Sequence, residues 1–170
     1  MCQDETRLGL KTIPGRLITA RGVKPVGSNQ WKRDNFYLYG VVEPLNGYSF
    51  FYEFSHVDGD CFQKFLELLS VELGSDVAVV QFDRGSFHTV KTLDCPENII
   101  PIFQPPHSPE LNPIERFWEF LKSKLKWENF KTLTQLREKL TSVLEAITPD
   151  VIISLTSYDH ILEALFSASS

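Results

Sequence analysis

The stretch Gln104-Pro105-Pro106-His107-Ser108-Pro109-Glu110-Leu111-Asn112-Pro113-Ile114-Glu115-Arg116-Phe117-Trp118 decides how the rest of the chain is read. Pro105, Pro106 and Pro109 each fix φ, lack an N–H and push the preceding residue out of the α region, so the first part predicts a stiff, extended loop. Asn112 then suits an N-cap, Pro113 the first helical position, and Glu115 the first turn, where the helix dipole stabilises a carboxylate. A rigid lead-in thus delivers one acid to a fixed point. Ile114, Phe117, Trp118, Leu121 and Leu125 keep the spacing of one buried helical face, which assigns Phe117, Trp118 and Leu121 to the core.

Upstream, Asn35–Pro44 and Tyr48–Ser55 are rich in aromatic and β-branched residues and flank Asn46-Gly47, a strong hairpin signal, so two antiparallel strands are expected. Phe62, Phe65, Leu66, Leu69 and Leu73 follow at helical spacing, and Gly74 ends the run. Val77–Phe82 and Asn98–Phe103 are short continuous apolar runs, as expected of strands buried on both faces, with room for a short helix between them. Further helices are expected from about Thr134 to Ile147 and over Pro149–Phe166. A hairpin, then alternating helix and strand, then helices, predicts an α/β fold: a mixed sheet covered by helices, with parallel connections after the hairpin.

The 170 residues, 42% of them hydrophobic, suffice for one ordinary core, and no linker or shift in composition divides them. No run approaches the ~20 apolar residues of a membrane span, and Met1-Cys2-Gln3-Asp4-Glu5 lacks the regions of a secretion signal, so a soluble cytoplasmic chain without a membrane partner is expected. Cys2, Cys61 and Cys95 never fall in C-x-x-C spacing, which suggests neither a disulfide framework nor a zinc site. A net charge of −5 argues against a uniformly basic nucleic-acid binder, yet the charges are segregated. Lys11, Arg16, Arg21, Lys24, Lys32 and Arg33 lie in an acid-free, glycine-punctuated arm. Arg116, Lys122, Lys124, Lys126 and Lys131 form a second basic cluster on and after the Asn112 helix. Each cluster either faces a phosphate backbone or is ordinary solvated surface.

Three acids stand where a carboxylate contributes little to structure: Asp4 close to an apolar turn, Asp83 at the end of a buried strand, and Glu115 at the proline-loaded helix start. Two like charges about 4 Å apart repel by ~4 kcal/mol at an effective dielectric near 20, so clustered carboxylates call for a cation. All-oxygen ligation suits Mg²⁺ or Mn²⁺. Two such ions ~3.5–4 Å apart activate a nucleophile and stabilise the leaving 3′ oxygen of a phosphodiester. Each acid also has a structural reading: Asp83 opening a turn, Glu115 as a favourable first-turn charge, Asp4 as N-terminal surface. Composition and periodicity do not decide between these.

Asp4-Glu5-Thr6-Arg7, Gln81-Phe82-Asp83-Arg84-Gly85-Ser86-Phe87-His88 and Ser108-Pro109-Glu110-Leu111-Asn112-Pro113-Ile114-Glu115-Arg116-Phe117-Trp118, in this order and spacing, together resemble DDE transposases of the mariner superfamily, in its bacterial insertion-sequence branch, over nearly the whole chain. The resemblance implies an RNase H-like fold, a mixed five-stranded sheet flanked by helices, with the first strand at the centre beside the strand ending in Asp83. It implies that Asp4, Asp83 and Glu115 converge and hold two Mg²⁺ ions, with Mn²⁺ as a substitute. Those ions drive hydrolytic cleavage at insertion-sequence ends and attack of the freed 3′-hydroxyl on target DNA, usually at TA. Glu110 is the rival third acid, but the family motif sets the catalytic acid after Asn-Pro-Ile. The implied partners are double-stranded DNA of element ends and target, and a second copy or a full-length transposase, in a bacterial cytoplasm and at the nucleoid when DNA-bound.

Full-length relatives carry a helix-turn-helix region and a complete first strand before the first Asp, whereas Met1-Cys2-Gln3 alone precedes Asp4. The expectation is therefore one catalytic domain over 1–170, with a core to about 127, a helical extension at about 130–167, a shortened first strand and no helix-turn-helix region. Many relatives have Asn where Arg84 stands. His88 and His107 are candidates for substrate phosphate or a neighbouring carboxylate, with a satisfied structural histidine as the plain alternative. Trp31, between basic residues, suits stacking on a base or sugar as well as surface packing. Lys122 and Lys126 follow Glu115 at helical intervals, which puts all three on one face toward incoming DNA. Two other functions compete with the transposase reading: a catalytically inactive remnant that binds only DNA or a partner transposase, and a host ribonuclease H-like nuclease.

Overall fold

The computed structural model describes residues 1–15, 19–24, 26–83, 94–105 and 111–158 of the chain. Its strands are β1 (Cys2–Gly9), β2 (Asn35–Val42), β3 (Ser49–Phe54), β4 (Ala78–Phe82) and β5 (Ile99–Phe103). They form one sheet in the order β3-β2-β1-β4-β5. β1, β2 and β3 are antiparallel neighbours, while β4 runs parallel to both β1 and β5. This is the mixed five-stranded sheet expected, with β1 at its centre.

The hairpin turns where Asn46-Gly47 predicts. Gly47 has φ +72, and a Cβ there would lie 2.6 Å from Pro149 Cα, so both its conformation and its neighbour require glycine. β1 pairs with β2 from Cys2↔Val42 to Gly9↔Asn35, but with β4 only at Cys2↔Gln81. The expected shortening of the first strand is not seen in its length, since β1 has eight residues, as many as β2. The junction is extended by Gln81 N–H donating to Met1 O at 2.9 Å and by the Met1 ammonium on Val79 O at 2.8 Å.

Helix α1 (Gly59–Leu73) covers one sheet face. Its N-cap Asp58 accepts from Cys61 N–H at 2.8 Å, and Gly74 closes its C-terminal end. Phe62, Phe65, Leu66 and Leu69 pack there with Tyr39, Val41, Ala78, Val80, Phe82 and Ile99. Helices α2 (Ile114–Lys124), α3 (Leu133–Glu145) and α4 (Pro149–Thr156) cover the other face. Ile114, Phe117, Trp118 and Leu121 of α2 meet Cys2, Leu8, Phe36, Leu38 and Val42 of the sheet, joined by Leu136, Leu140 and Ile152. No helix among the described residues is long and apolar enough to cross a membrane.

Three local expectations are corrected. Neither β4 nor β5 is buried on both faces: Val79 of β4 is exposed, and in β5 Ile99 is buried but Ile100, Pro101, Ile102 and Phe103 are exposed, because β5 is the sheet edge and α2 sits over β1 rather than over the β4–β5 pair. Asn112 is not the N-cap of α2. Pro113 holds that position in helical geometry without a side-chain cap, and the Asn112 amide is used elsewhere. Lys126 is not on the helical face of Glu115, since α2 ends at Lys124 and the backbone turns, with Trp127 at φ +62.

Candidate active site

Asp4 lies in the body of β1, at the sheet centre, rather than near a turn. Because side chains alternate along a strand, Asp4 shares a face with Cys2 and Leu8, under α2, while Glu5 faces the α1 side, opposite Tyr39. Continued by two residues, the Cys2↔Gln81 register sets Asp4 level with Asp83, the first residue past β4. Asp83 is exposed there. Glu115 is exposed in the first turn of α2, where its charge meets the positive end of the helix dipole.

Side-chain bonds pin the start of α2 over this part of the sheet. Asn112 Nδ2 donates to Gln3 O at 2.9 Å, and Gln81 Nε2 donates to Leu111 O at 3.0 Å, so β1 and β4 each hold the segment entering the helix. One turn into α2, Trp118 Nε1 donates to Asp4 Oδ2 at 3.0 Å. Directly across from Asp4 in the β1–β2 register stands Gly40. A Cβ on Gly40 would fall 2.8 Å from Trp118 Cη2 and 2.6 Å from Phe51 Cδ1, so the missing side chain leaves room for the indole.

The electrostatics follow from this crowding. Burial first, then the charges of Glu5 and Glu115, push the Asp4 carboxyl up to about 8, against the pull of its bond from Trp118. Burial also raises Glu5 to about 7, with Asp83 as the repelling charge, although Gln3 Nε2 donates to Glu5 Oε1 at 3.2 Å. Asp4 and Glu115 therefore feel each other on one side of β1, and Glu5 and Asp83 feel each other beside it. Among the described residues, no three His, Cys, Asp or Glu side chains close around one metal position. In donor chemistry the acids do fit a hard divalent cation: all are oxygen donors, and the repulsion recorded at Asp4 is what such an ion relieves.

The remaining candidates sit as follows. Arg16, Arg84, His88, His107 and Glu110 lie outside the described residues. Arg21, Lys24, Trp31, Lys32 and Arg33 are exposed on the segment between β1 and β2, which folds back on the chain following α2. Gln30 Nε2 donates to Phe130 O at 2.7 Å and Lys32 Nζ to Lys131 O at 2.8 Å, so Lys32 is engaged with the protein. Trp31 is 70% exposed, with the Lys11 ammonium 5.0 Å from its ring centre. Lys122 is in the last turn of α2, remote from Glu115 along the helix. Sequence reasoning missed Glu5, Gly40 and the polar use of Trp118; an isolated glycine inside a β-branched run was the available signal of a close approach.

The comparisons with known proteins agree with this architecture. A family model described as DDE superfamily endonuclease matches residues 1–137. An uncharacterized protein, y4pE/y4sA, of Sinorhizobium fredii (strain NBRC 101917 / NGR234) is 35% identical over 88 residues, which cover 51% of this chain and 64% of that protein. Among solved structures, the Mos1 mariner paired end complex with Mn superposes with a TM-score of 0.70 at 14% identity, over 92% of this chain and 51% of the Mos1 chain. The Mos1 strand transfer complex gives 0.65 at 15% identity, over 92% and 50%. The chain thus spans about half the length of the solved chains it matches, and at these identities the likeness is one of fold, the RNase H-like fold. With five strands in this order, and a family match running from β1 into α3, the chain belongs to the DDE superfamily endonuclease family.

Proposed function

We propose that this chain is a transposase catalytic domain, which cleaves DNA at insertion-sequence ends and joins the freed 3′-hydroxyl to target DNA, with Asp4, Asp83 and Glu115 as the ligands of two Mg²⁺ ions, or Mn²⁺ in their place. The observation that carries this reading is the Asp4 carboxyl in the central strand, bonded to the helix that bears Glu115 and near enough to feel its charge, with the charged form disfavoured by burial first and then by Glu5 and Glu115. Burial and like charges make that arrangement costly to the metal-free fold, whereas a bound divalent ion offsets the repulsion. When bound, such ions activate the attacking oxygen and stabilise the departing 3′ oxygen. Asp4 and Glu115 hold ligand oxygens on rigid elements, Asp83 supplies another from the end of β4, and the exposed cations Lys24 and Arg33, with the half-buried Lys122, attract the phosphate backbone. The Mos1 structures that share this fold, a paired end complex with Mn and another with Mg, support the choice of DNA ends and of these metals.

The test is direct. Purified protein is incubated with duplexes carrying insertion-sequence ends and MgCl₂, and nicked strands are resolved. Metal-dependent nicking that is lost in Asp83→Ala and Glu115→Gln supports the reading; parent activity indistinguishable from Asp83→Ala would falsify it.

A second reading, a catalytically inactive remnant that binds DNA or a full-length transposase, is favoured by one observation: among the described residues the acids do not close on a common metal position. It predicts salt-sensitive DNA binding with no thermal shift in MgCl₂.

A further inference from the structure

We propose that Trp118 is a positioning residue for Asp4: its indole N–H, seated in the notch that Gly40 leaves open, fixes one carboxylate oxygen so that the other lone pairs of Asp4 are presented to a divalent cation in a set direction. This role rests on the reading of Asp4 as a metal ligand.

Trp118 is 1% exposed, and a buried indole N–H must find an acceptor. Asp4 Oδ2, 3.0 Å away, is that acceptor. If Trp118 were there only to fill space, a phenylalanine would serve without a donor to satisfy. The ring has little freedom. Its ring centre lies 5.4 Å from that of Phe117 and 5.9 Å from that of Phe51, and a Cβ on Gly40, in the strand paired to Asp4, would fall 2.8 Å from its Cη2. A donor held this firmly sets the torsion of the short Asp4 side chain, much as outer partners orient the ligands of known metal sites.

The arrangement also links two of the acids mechanically. Glu115 and Trp118 are three positions apart on α2, so they occupy the same side of the helix, one turn from each other. One helix therefore bears its own acid and grips the acid of β1. The Asn112 and Gln81 bonds to β1 and from β4 hold the helix start, so α2 cannot slide without breaking both relationships at once.

The experiment uses the full chain, with MgCl₂ or MnCl₂ alone as the probe. Thermal-shift titrations are run on the parent, on Trp118→Phe, which keeps a ring but loses the N–H, and on Gly40→Ala, which crowds the indole without removing its donor. The indole N–H resonance of Trp118 is followed in parallel in the parent and in Asp4→Ala. The proposal expects both indole-site variants to need ~10–100-fold more metal for the same shift, the range seen when outer partners of metal ligands are removed. It also expects the Trp118 resonance to move in Asp4→Ala and on adding MgCl₂. A folded Trp118→Phe that titrates like the parent overturns the positioning role while leaving Asp4 as a ligand. Should Trp118→Phe not fold, an indole resonance unchanged by Asp4→Ala overturns it. A parent with no response to either metal removes the nuclease reading, and the positioning role with it.

Discussion

The side-chain amide of Asn112 donates to the main-chain carbonyl of Gln3 at 2.9 Å, joining the entry of α2 to the strand position immediately before Asp4 across 109 residues of sequence. Asn112 is buried, and its Oδ1 has no hydrogen-bond partner among the described residues, so the donor is the useful end of this group. Asn112→Ala should leave Gln3 O unsatisfied and cost about 1–3 kcal/mol, the usual penalty for a buried orphan. Asn112→Asp should cost more, because it removes the same donor and brings another negative charge toward Asp4 and Glu115. Urea unfolding of the three proteins at one pH checks both the sign and the order.

The acids predict a pH dependence with a definite sign. In the unfolded chain Asp4 and Glu5 titrate near 3.8 and 4.5; in the folded chain burial and neighbouring acids move them to about 8 and about 7. Between those limits the folded state holds more protons than the unfolded one, so metal-free stability falls as pH rises and the loss is complete above the folded values. Asp4→Asn keeps an oxygen for the Trp118 bond but carries no charge. In EDTA it should raise the unfolding free energy at pH 8.5, on the order of a few kcal/mol, and change it little at pH 4. Thermal melts at the two pH values decide this; a variant destabilised equally at both contradicts the repulsion.

Much of this fold is legible in local pattern, because the elements that matter are strongly periodic. The Asn46-Gly47 turn, the Phe62-to-Leu73 helix and the Ile114-to-Leu125 helix each follow from spacing, and the structure has all three. What was not legible depends on contacts between distant segments. Asn112 has every local mark of a cap, yet Gln3 O is a better-placed acceptor than the helix is a user of its oxygen. Trp118 reads as core by periodicity, and it is core, but only the register of β1 against β2 reveals that Asp4 lies beneath its N–H. The exposure of β5 likewise depends on where α2 lands, which no window of sequence contains.

On the proposed function, DNA binding through the segment between β1 and β2 should separate into two kinds of contact. Trp31 is 70% exposed and stacks beneath the Lys11 ammonium, so Trp31→Ala should weaken single-stranded DNA binding by about 1–3 kcal/mol with no change in melting temperature. Lys24→Gln and Arg33→Gln should each flatten the dependence of log affinity on log salt by about 0.9 for duplex DNA. Lys32→Gln should act partly through stability, because its ammonium donates to Lys131 O at 2.8 Å. Anisotropy titrations across a salt series, beside thermal melts, distinguish the two classes.

The outer strand of the sheet carries a liability that mutation can remove. Ile100, Ile102 and Phe103 of β5 are 48%, 52% and 44% exposed, and the strand bears no charged residue to repel another sheet edge. Pro101 withholds one N–H from the edge, which limits but does not abolish pairing with a second chain. Ile102→Lys removes little buried area, so its unfolding free energy should stay within about 0.5 kcal/mol of the parent. Its light scattering on concentration should fall at the same time, since a lysine on an edge strand opposes sheet-to-sheet addition. If instead the substitution costs several kcal/mol, a further part of the protein covers β5 in solution, and the exposure of Ile102 belongs to the isolated sheet edge rather than to the folded chain.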